Sequence, residues 1–414
     1  MIDEFEIDLL VERLIRRIEQ MNTYFLKKIG SSIKQIRNLT PSEAQRLIQL
    51  LKYGGNYEEI IKELIKYTNL NVQDIDEIFY NYAKKDLNFY EKFYEYRNIP
   101  FIPFDQNSAL KMQTRALSNI AKNKMYDFSR SNVLGYTIYD VLPNGKRGKA
   151  RFYGLKETYN RVLDEALLNV GQGKETFDAS MKHILEDIGG SGIKTLDYES
   201  GRAIRLDSAI RTHLKSRLRE LHNENQKIIG EEIGSDGVEI SVHLNPAPDH
   251  EEAQGHQFSN EEYEKLNNGL NAKDYKGKII TLDHDHKNGY RPISEMNCYH
   301  YIFAIVLGVS EPEYNQKQLK EIIDKNKKGF EYNGKHYTNY EGTQLQRNFE
   351  REIRNEKDTQ ILAKSSGNNE LIAQSQRNIT WLTRQYKELS NVSGLPKYME
   401  RMKVNGYKRV ATKK

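Results

Sequence analysis

One cysteine, Cys298, stands in a chain of 414 residues. That excludes an intramolecular disulfide framework and any zinc site built from cysteine alone. Long apolar runs are missing too. The longest, Tyr299 to Ser310 (YHYIFAIVLGVS), has 12 residues, well short of the roughly 18 that a membrane span needs. The amino terminus, MIDEFEIDLLVERL, carries four acids in its first eight positions, the reverse of the basic start of a signal peptide. No Gly-x-Ser-x-Gly elbow, P-loop or dinucleotide fingerprint occurs, so the common hydrolase, NTPase and dehydrogenase readings fall away. Charge is nearly balanced: 63 Lys and Arg against 58 Asp and Glu leave +5, too little by itself to signal nucleic-acid binding. Hydrophobic residues are only 37 % and charged residues 29 %, which favours elongated helices with much solvated surface. The protein is expected in the cytoplasm, or in an assembly built there. A single Trp381 against 27 tyrosines, with many Lys, Asn and Ile, hints at an AT-rich genome.

Helical periodicity governs the first third. Leu10, Leu14, Ile18, Met21 and Phe25 recur at helical spacing. Thr40-Pro41-Ser42-Glu43 reads as a helix start: Thr40 caps, Pro41 suits the first turn, and Glu43 closes a capping box. Gly54-Gly55 ends that helix. Further helices are expected over Tyr57–Tyr67, Val72–Phe89 and Ser108–Ser129, with Pro100 and Pro103 as punctuation. Residues 136–154 alternate β-formers around Pro143-Asn144-Gly145, the pattern of a hairpin. Helices return at Glu157–Leu168, at Thr176–Ile188, where Gly189-Gly190 read as a stop, and at Asp197–Ile229. In the last of these Leu206, Ile210, Leu214, Leu218 and Leu221 form an apolar stripe. Arg202, Arg205, Arg211, Lys215, Arg217 and Arg219 read as its solvated face, the alternative being a face turned to phosphates.

The pattern then turns mixed. Val238, Ile240, Val242 and Leu244 alternate with polar residues, as in a half-buried strand. Asn245–Asp249 breaks it. Ser259-Asn-Glu-Glu262 reads as a capping box for a short helix that ends at Asn268-Gly269, and Lys278–Leu282 reads as another strand. Phe330–Thr338 suggests a hairpin on an Asn333-Gly334 type I′ turn. Gln344–Leu389 is helical with a break at Ser366-Gly367, a helical hairpin. The expected fold is therefore α+β and predominantly α-helical. It divides into a helical N-terminal region (1–105), a central helical region (106–235), a mixed α/β His-rich module (236–340), and C-terminal helices with a basic tail (341–414).

Six of the ten histidines fall between positions 243 and 300, beside the only cysteine. Imidazole, thiolate and carboxylate are the ligands zinc prefers. His243, Asp249, His250 and His256 flank a Pro-rich turn, and Cys298-x-His300 offers two more donors on an extended stretch. Brought together, these six would form a structural zinc site, although no spacing among them is a standard zinc signature. The alternative is a set of polar core and turn hydrogen-bonders. Cys298 as a nucleophile would need a paired base, which His300 on the same side of a strand would supply; a buried thiol is the simpler reading.

The basic character of the chain lies at its end. Lys397, Arg401, Lys403, Lys408, Arg409, Lys413 and Lys414 face one acid, Glu400, in the last 18 residues. These 18 residues sum to +6, more than the whole chain's +5, so the preceding residues sum to −1. Such a tail reads as a mobile arm that neutralises phosphates without reading bases, or as a mere solubilising end.

Leu282-Asp-His-Asp-His-Lys-Asn-Gly289 resembles the metal-binding strand of His-Asn-His-type endonucleases of the endonuclease VII sort. In those enzymes a His activates water and an Asp-His pair holds a divalent cation. That resemblance implies a metal-dependent nuclease as the alternative function. It is weakened by the single cysteine and by the apolar run YIFAIVLG, which stands where the last ligand's helix should be.

A broader resemblance covers most of residues 110–410. Gly237-Val-Glu-Ile-Ser-Val-His-Leu-Asn-Pro-Ala-Pro-Asp-His250, Gln254–Ser259, Tyr290–His300 (YRPISEMNCYH), Ile305–Pro312, Leu206–Arg211 and Gly329–Gln346 occur in an order that is similar to the phage minor capsid protein 2 family. The resemblance implies a non-enzymatic head-morphogenesis protein of a tailed phage or prophage. Its expected place is the virion, at the capsid interior or portal vertex, after assembly in the host cytoplasm. Its implied partners are the portal protein, other head proteins and double-stranded DNA, with no membrane. The resemblance also places Cys298 and His300 at the stapled end of a small module, with Asp249, His250 and His256 in its turn region. The single cysteine departs from a Cys-rich staple, and the LDHDHK insert is unlike the family.

Overall fold

The computed structural model describes residues 4–53, 56–130, 132–141, 146–171, 174–197, 201–282, 291–294, 298 and 300–410. Helices make up 64 % of it and the sheets are small and antiparallel, so the fold is predominantly α-helical α+β. Helix α1 (Glu4–Ile36) leads into α2 (Pro41–Tyr53), which starts on the expected box: Thr40 N–H donates to Glu43 and Glu43 N–H to Thr40 Oγ1. Helix α3 (Asn56–Phe89) is one element where two were expected. No Gly or Pro interrupts Thr68-Asn-Leu-Asn71. Thr68 hydroxyl donates to its own helix at Leu64 O, and the buried Asn71 amide donates to Leu14 O on α1. The two buried polar residues between the expected helices, Thr68 and Asn71, are thus satisfied inside the helix pair. Helices α4 (Glu91–Tyr96) and α5 (Ser108–Phe128, capped by Asn107) complete the N-terminal bundle.

The expected hairpin forms as β1 (Leu134–Val141) against β2 (Arg147–Gly154), with Gly135 opposite Gly154 and a bulge between Tyr139 and Val141. Its Pro143-Asn144-Gly145 turn lies outside the described residues. After α6 (Leu155–Asn169) and α7 (Lys174–Ser191), strands β3 (Lys194–Leu196) and β4 (Ala203–Arg205) extend the sheet in the order β2-β1-β3-β4. Residues 203–205 were expected in a helix, but they pair with β3, and α8 (Leu206–Ile233) starts only afterwards.

Helix α8 is the axis of the molecule. It packs against α1, α3 and α5 at once, so it has no solvated face of the kind expected. Arg205, Lys215 and Arg219 are buried along with the leucine stripe. Pairing makes this possible. Arg205 lies 3.2 Å from Asp207 and 3.4 Å from Asp358, and Arg211 lies 3.1 Å from Glu12. One apolar core, from Val11 to Leu371, runs through these helices.

A second core, with 11 of the described residues from Val238 to Ile302, lies in the mixed segment. Its sheet has the order β6-β5-β9: β5 (Gly237–Ile240) sits between β6 (Gln257–Ser259) and β9 (Ile302–Ile305). Helix α9 (Asn260–Asn267), capped by Ser259, and the short pair β7 (Ala272–Lys273) and β8 (Ile279–Ile280) close it. The apolar run thus becomes a strand beside β5. Helix α10 (Gln316–Lys328) precedes the hairpin β10 (Phe330–Tyr332) and β11 (Lys335–Tyr337), whose Asn333 (φ 50°) and Gly334 (φ 73°) have type I′ signs. Helices α11 (Asn339–Ser366) and α12 (Asn369–Ser393) form the expected hairpin, turning on Gly367 at φ 75°.

A mobile arm was expected at the C-terminus, yet the chain is docked through Val410. Met402 is buried with Ile353 and Tyr386, and Tyr407 packs on the main core. Thr23 on α1 donates to Asn405 O at 2.8 Å, and Gln376 on α12 accepts from Tyr407 OH and Val410 N–H. Apolar anchors inside the basic segment strap it across α1, α11 and α12. Among the described residues, no helix is long and apolar enough to cross a membrane.

Candidate functional site

The turn at 245–255 folds back over the sheet because its ends are tied to β5: Gly255 N–H donates to Ile240 O at 2.8 Å, and Ile240 N–H to His256 O at 3.1 Å. On the other side of β5, Ser241 and Tyr301 exchange two hydrogen bonds of 2.8 Å. This brings the turn against Cys298 and His300, just ahead of β9. Three of the six candidate ligands meet there. Cys298 Sγ lies 3.3 Å from His250 Nδ1 and 3.5 Å from His300 Nδ1. The ligand atoms of all three residues lie within 4.8 Å of one another, and the residues are 1 %, 1 % and 3 % exposed.

The outer nitrogens are also engaged. His250 Nε2 donates to Arg291 O at 2.6 Å, and His300 Nε2 donates to Gln254 Oε1 at 3.3 Å. Gln254 Oε1 accepts in turn from His243 N–H at 2.8 Å. Burial pushes the Cys298 thiol up, but its hydrogen bonds with His250 and His300 outweigh that and bring it well below its ordinary value. Burial pushes His300 down. At His250 burial also lowers, yet the Cys298 sulfur, Asp249 and the Arg291 carbonyl overcome it, so this imidazole is raised. One imidazole of the pair therefore holds a proton more readily than the other.

The other three candidates do not join the cluster as ligands, although Asp249 Oδ2 comes within 3.8 Å of His250 Nε2. Asp249 forms a two-point pair with Arg291, both contacts at 3.0 Å. His256 Nδ1 bonds Asp274 at 2.7 Å. His243 presents its backbone to Gln254, accepts from Asn245 N–H at Nδ1, and keeps its ring centre 6.4 Å from that of His300. The LDHDHKNG stretch lies, from Asp283 on, outside the described residues. Of the basic residues, Lys397, Lys403, Lys408 and Arg409 are exposed along the strap, Arg401 stacks 4.0 Å over Tyr398, and Lys413 and Lys414 lie outside the described residues.

Sequence reading missed one buried histidine. His222 on α8 bonds Asp86 on α3 at 2.9 Å and Ile302 O on β9 at 2.8 Å. Gln226, one turn on, accepts from Ala304 N–H at 3.0 Å. A histidine in an Arg- and Glu-rich helix carries no signal of this, because both partners are distant in sequence.

Several of the segments that carried the family resemblance assemble here into one unit: strand β5, the 245–255 turn, β6, Cys298, His300 and β9, while Leu206–Arg211 opens α8 and Gly329–Gln346 spans β10, β11 and the start of α11. No curated protein and no solved structure matches the chain. A family model described as phage minor capsid protein 2 matches residues 2–391, nearly the full length, and the chain thus belongs to the phage minor capsid protein 2 family as a phage structural protein.

Proposed function

We propose that this protein is a head-assembly component that binds the portal protein and its neighbours and lies inside the capsid against packaged DNA, with no catalytic step of its own. The observation that carries the reading is the strapped basic segment. Lys397, Lys403, Lys408 and Arg409 stand exposed on a backbone pinned to α1, α11 and α12. Cations held in place lose less entropy on meeting phosphates than cations on a free arm, and they neutralise phosphate without reading sequence. Leu50 and Tyr53 on α2, 66 % and 87 % exposed, support docking of the N-terminal helices on another head protein.

The test combines co-purification with the portal protein and DNA binding titrated with salt. Expected are capture of the portal protein and DNA affinity that falls steeply with salt. Reversing Lys397, Lys403, Lys408 and Arg409 to Glu should weaken DNA binding uniformly across sequences. It should also flatten the salt slope by about one for each phosphate that is no longer neutralised. Unchanged DNA binding removes the DNA half of the proposal. A chain that ignores portal and cuts DNA with magnesium replaces it by the nuclease reading.

A further inference from the structure

We propose that His250, Cys298 and His300 bind a zinc ion that staples the 245–255 turn to the chain entering β9. This goes beyond the structural role above and stands or falls apart from it.

The hydrogens of the site are fixed by its outer partners. His250 Nε2 faces a backbone carbonyl, Arg291 O, at 2.6 Å, so it must carry the hydrogen. His300 Nε2 faces Gln254 Oε1 at 3.3 Å. The orientation of that amide is fixed because the same oxygen accepts from His243 N–H. So His300 Nε2 must carry a hydrogen as well. In the neutral rings both Nδ1 lone pairs then point at the sulfur of Cys298, 3.3 and 3.5 Å away.

A thiol has one hydrogen and can satisfy one of them. Moving that hydrogen to His250 leaves the lone pair of His300 aimed at an anionic sulfur. Either way a lone pair is stranded in a site whose three residues are at most 3 % exposed, an arrangement that buried groups rarely tolerate. A divalent cation removes the conflict, since it accepts both lone pairs and the thiolate at once.

The spacing fits as well. Zinc bonds of about 2.3 Å to sulfur and 2.0–2.1 Å to nitrogen, at tetrahedral angles, put S and N about 3.6 Å apart. The two S···N separations here are 3.3 and 3.5 Å. Ligating histidines in metal sites give their second N–H to a carbonyl or carboxylate. Here Arg291 O and Gln254 Oε1 fill that place. Asp249, an expected ligand, instead grips the Arg291 guanidinium at two points and so positions the residue whose carbonyl receives His250. A nucleophilic role for Cys298 fits less well, since a sulfur in a residue 1 % exposed meets no substrate. Three donors leave one position of a tetrahedral ion for a fourth ligand.

The experiment uses the full chain, purified with zinc present and then dialysed. Metal content is measured by mass spectrometry, and a second sample is exchanged with cobalt(II). Expected are about one zinc per chain and, in the cobalt form, the intense thiolate-to-cobalt charge-transfer absorption. Cys298→Ser and His250→Gln should lose both, whereas His256→Asn, whose ring belongs to Asp274, should keep them. Should the first two variants fail to fold, the wild-type cobalt spectrum decides alone. A folded wild-type chain that takes up neither metal overturns the proposal, as does full metal content in folded Cys298→Ser.

Discussion

Arg205 lies between two carboxylates, Asp207 and Asp358, where α8 meets α11. Arg354 reaches Asp207 from α11 at 3.6 Å, and Glu19 on α1 feels the same field. Three acids and two arginines cannot all be ionised cheaply in a buried seam. Burial, with Asp207, Asp358 and Glu12 adding to it against Arg354, pushes the Glu19 carboxyl from its ordinary 4.5 up to about 8. Burial likewise lifts Asp358 to about 6 despite Arg205. The consequence for stability has a definite sign. Between about pH 4.5 and pH 8 the folded chain holds a proton at Glu19 that the unfolded chain has lost, so stability falls as pH rises through that window. Glu19→Gln keeps a neutral side chain at all pH values. Urea unfolding at pH 5 and at pH 8 should show a smaller loss for the variant than for the wild type, and equal losses would refute the assignment. None of this was legible beforehand. An arginine on a charged helix looks solvated until the neighbours that enclose it are known.

Glycine shows the same limit for helices. Gly189-Gly190 read as a stop, yet α7 continues through both and ends at Ser191. A Cβ on Gly189 would lie 2.4 Å from Thr359 Cα and 2.7 Å from Thr359 N, so its absence lets α7 and α11 cross at backbone distance. Gly190, next to it, has nothing within 4 Å of such an atom. The pair makes an internally controlled test. Gly189→Ala should cost about 1–3 kcal/mol, the usual range for overpacking. Gly190→Ala should be neutral or stabilising by about 0.5–1 kcal/mol, since Ala is the better helix residue. Chemical denaturation measures both, and a Gly189→Ala chain as stable as the wild type would show that the helices can separate freely. Caps and turns were far easier to read. Thr40–Glu43, Ser259–Glu262 and Asn333-Gly334 act through hydrogen bonds and dihedrals within four residues, and each marks its cap or turn where the sequence placed it, although the Glu262 carboxylate accepts from Lys273 N–H and leaves the box at Ser259 half formed.

At the scale of the whole molecule, the mixed module is tied to the helical body through α8. Asp86, His222 and Ile302 O form a buried chain of hydrogen bonds, extended by Gln226 to Ala304. His222 also packs edge-on against Tyr301 and Phe303, at 5.1 and 5.3 Å. Replacing His222 by Ala leaves Asp86 and a strand carbonyl short of a buried partner. The expected cost is about 1–3 kcal/mol, and hydrogen exchange should quicken in β5 and β9 more than in α11 and α12. Uniform quickening would mean that His222 stabilises the whole chain and does not hold the module in particular. The docked C-terminus belongs to this scale too, because Met402 and Tyr407 bring the basic segment onto α11 and α12 and across to α1 at the other end of the chain.

Whatever acts over short range could be read from the chain directly: the helical class, the β1–β2 and β10–β11 hairpins, the α11–α12 turn, and the family, whose motifs are strings of neighbours. The region of the zinc proposal was marked as well, because His and Cys cluster there in composition. Folding in three dimensions settled which of the six candidates converge and which pair elsewhere. It also made α8 an axis and strapped the basic tail down through Val410. One cause underlies all of these. Burial, ion pairing and ligand convergence depend on what lies across a gap in space, and residues such as Arg205 and Asp358, or His250 and Cys298, meet only after the chain has folded.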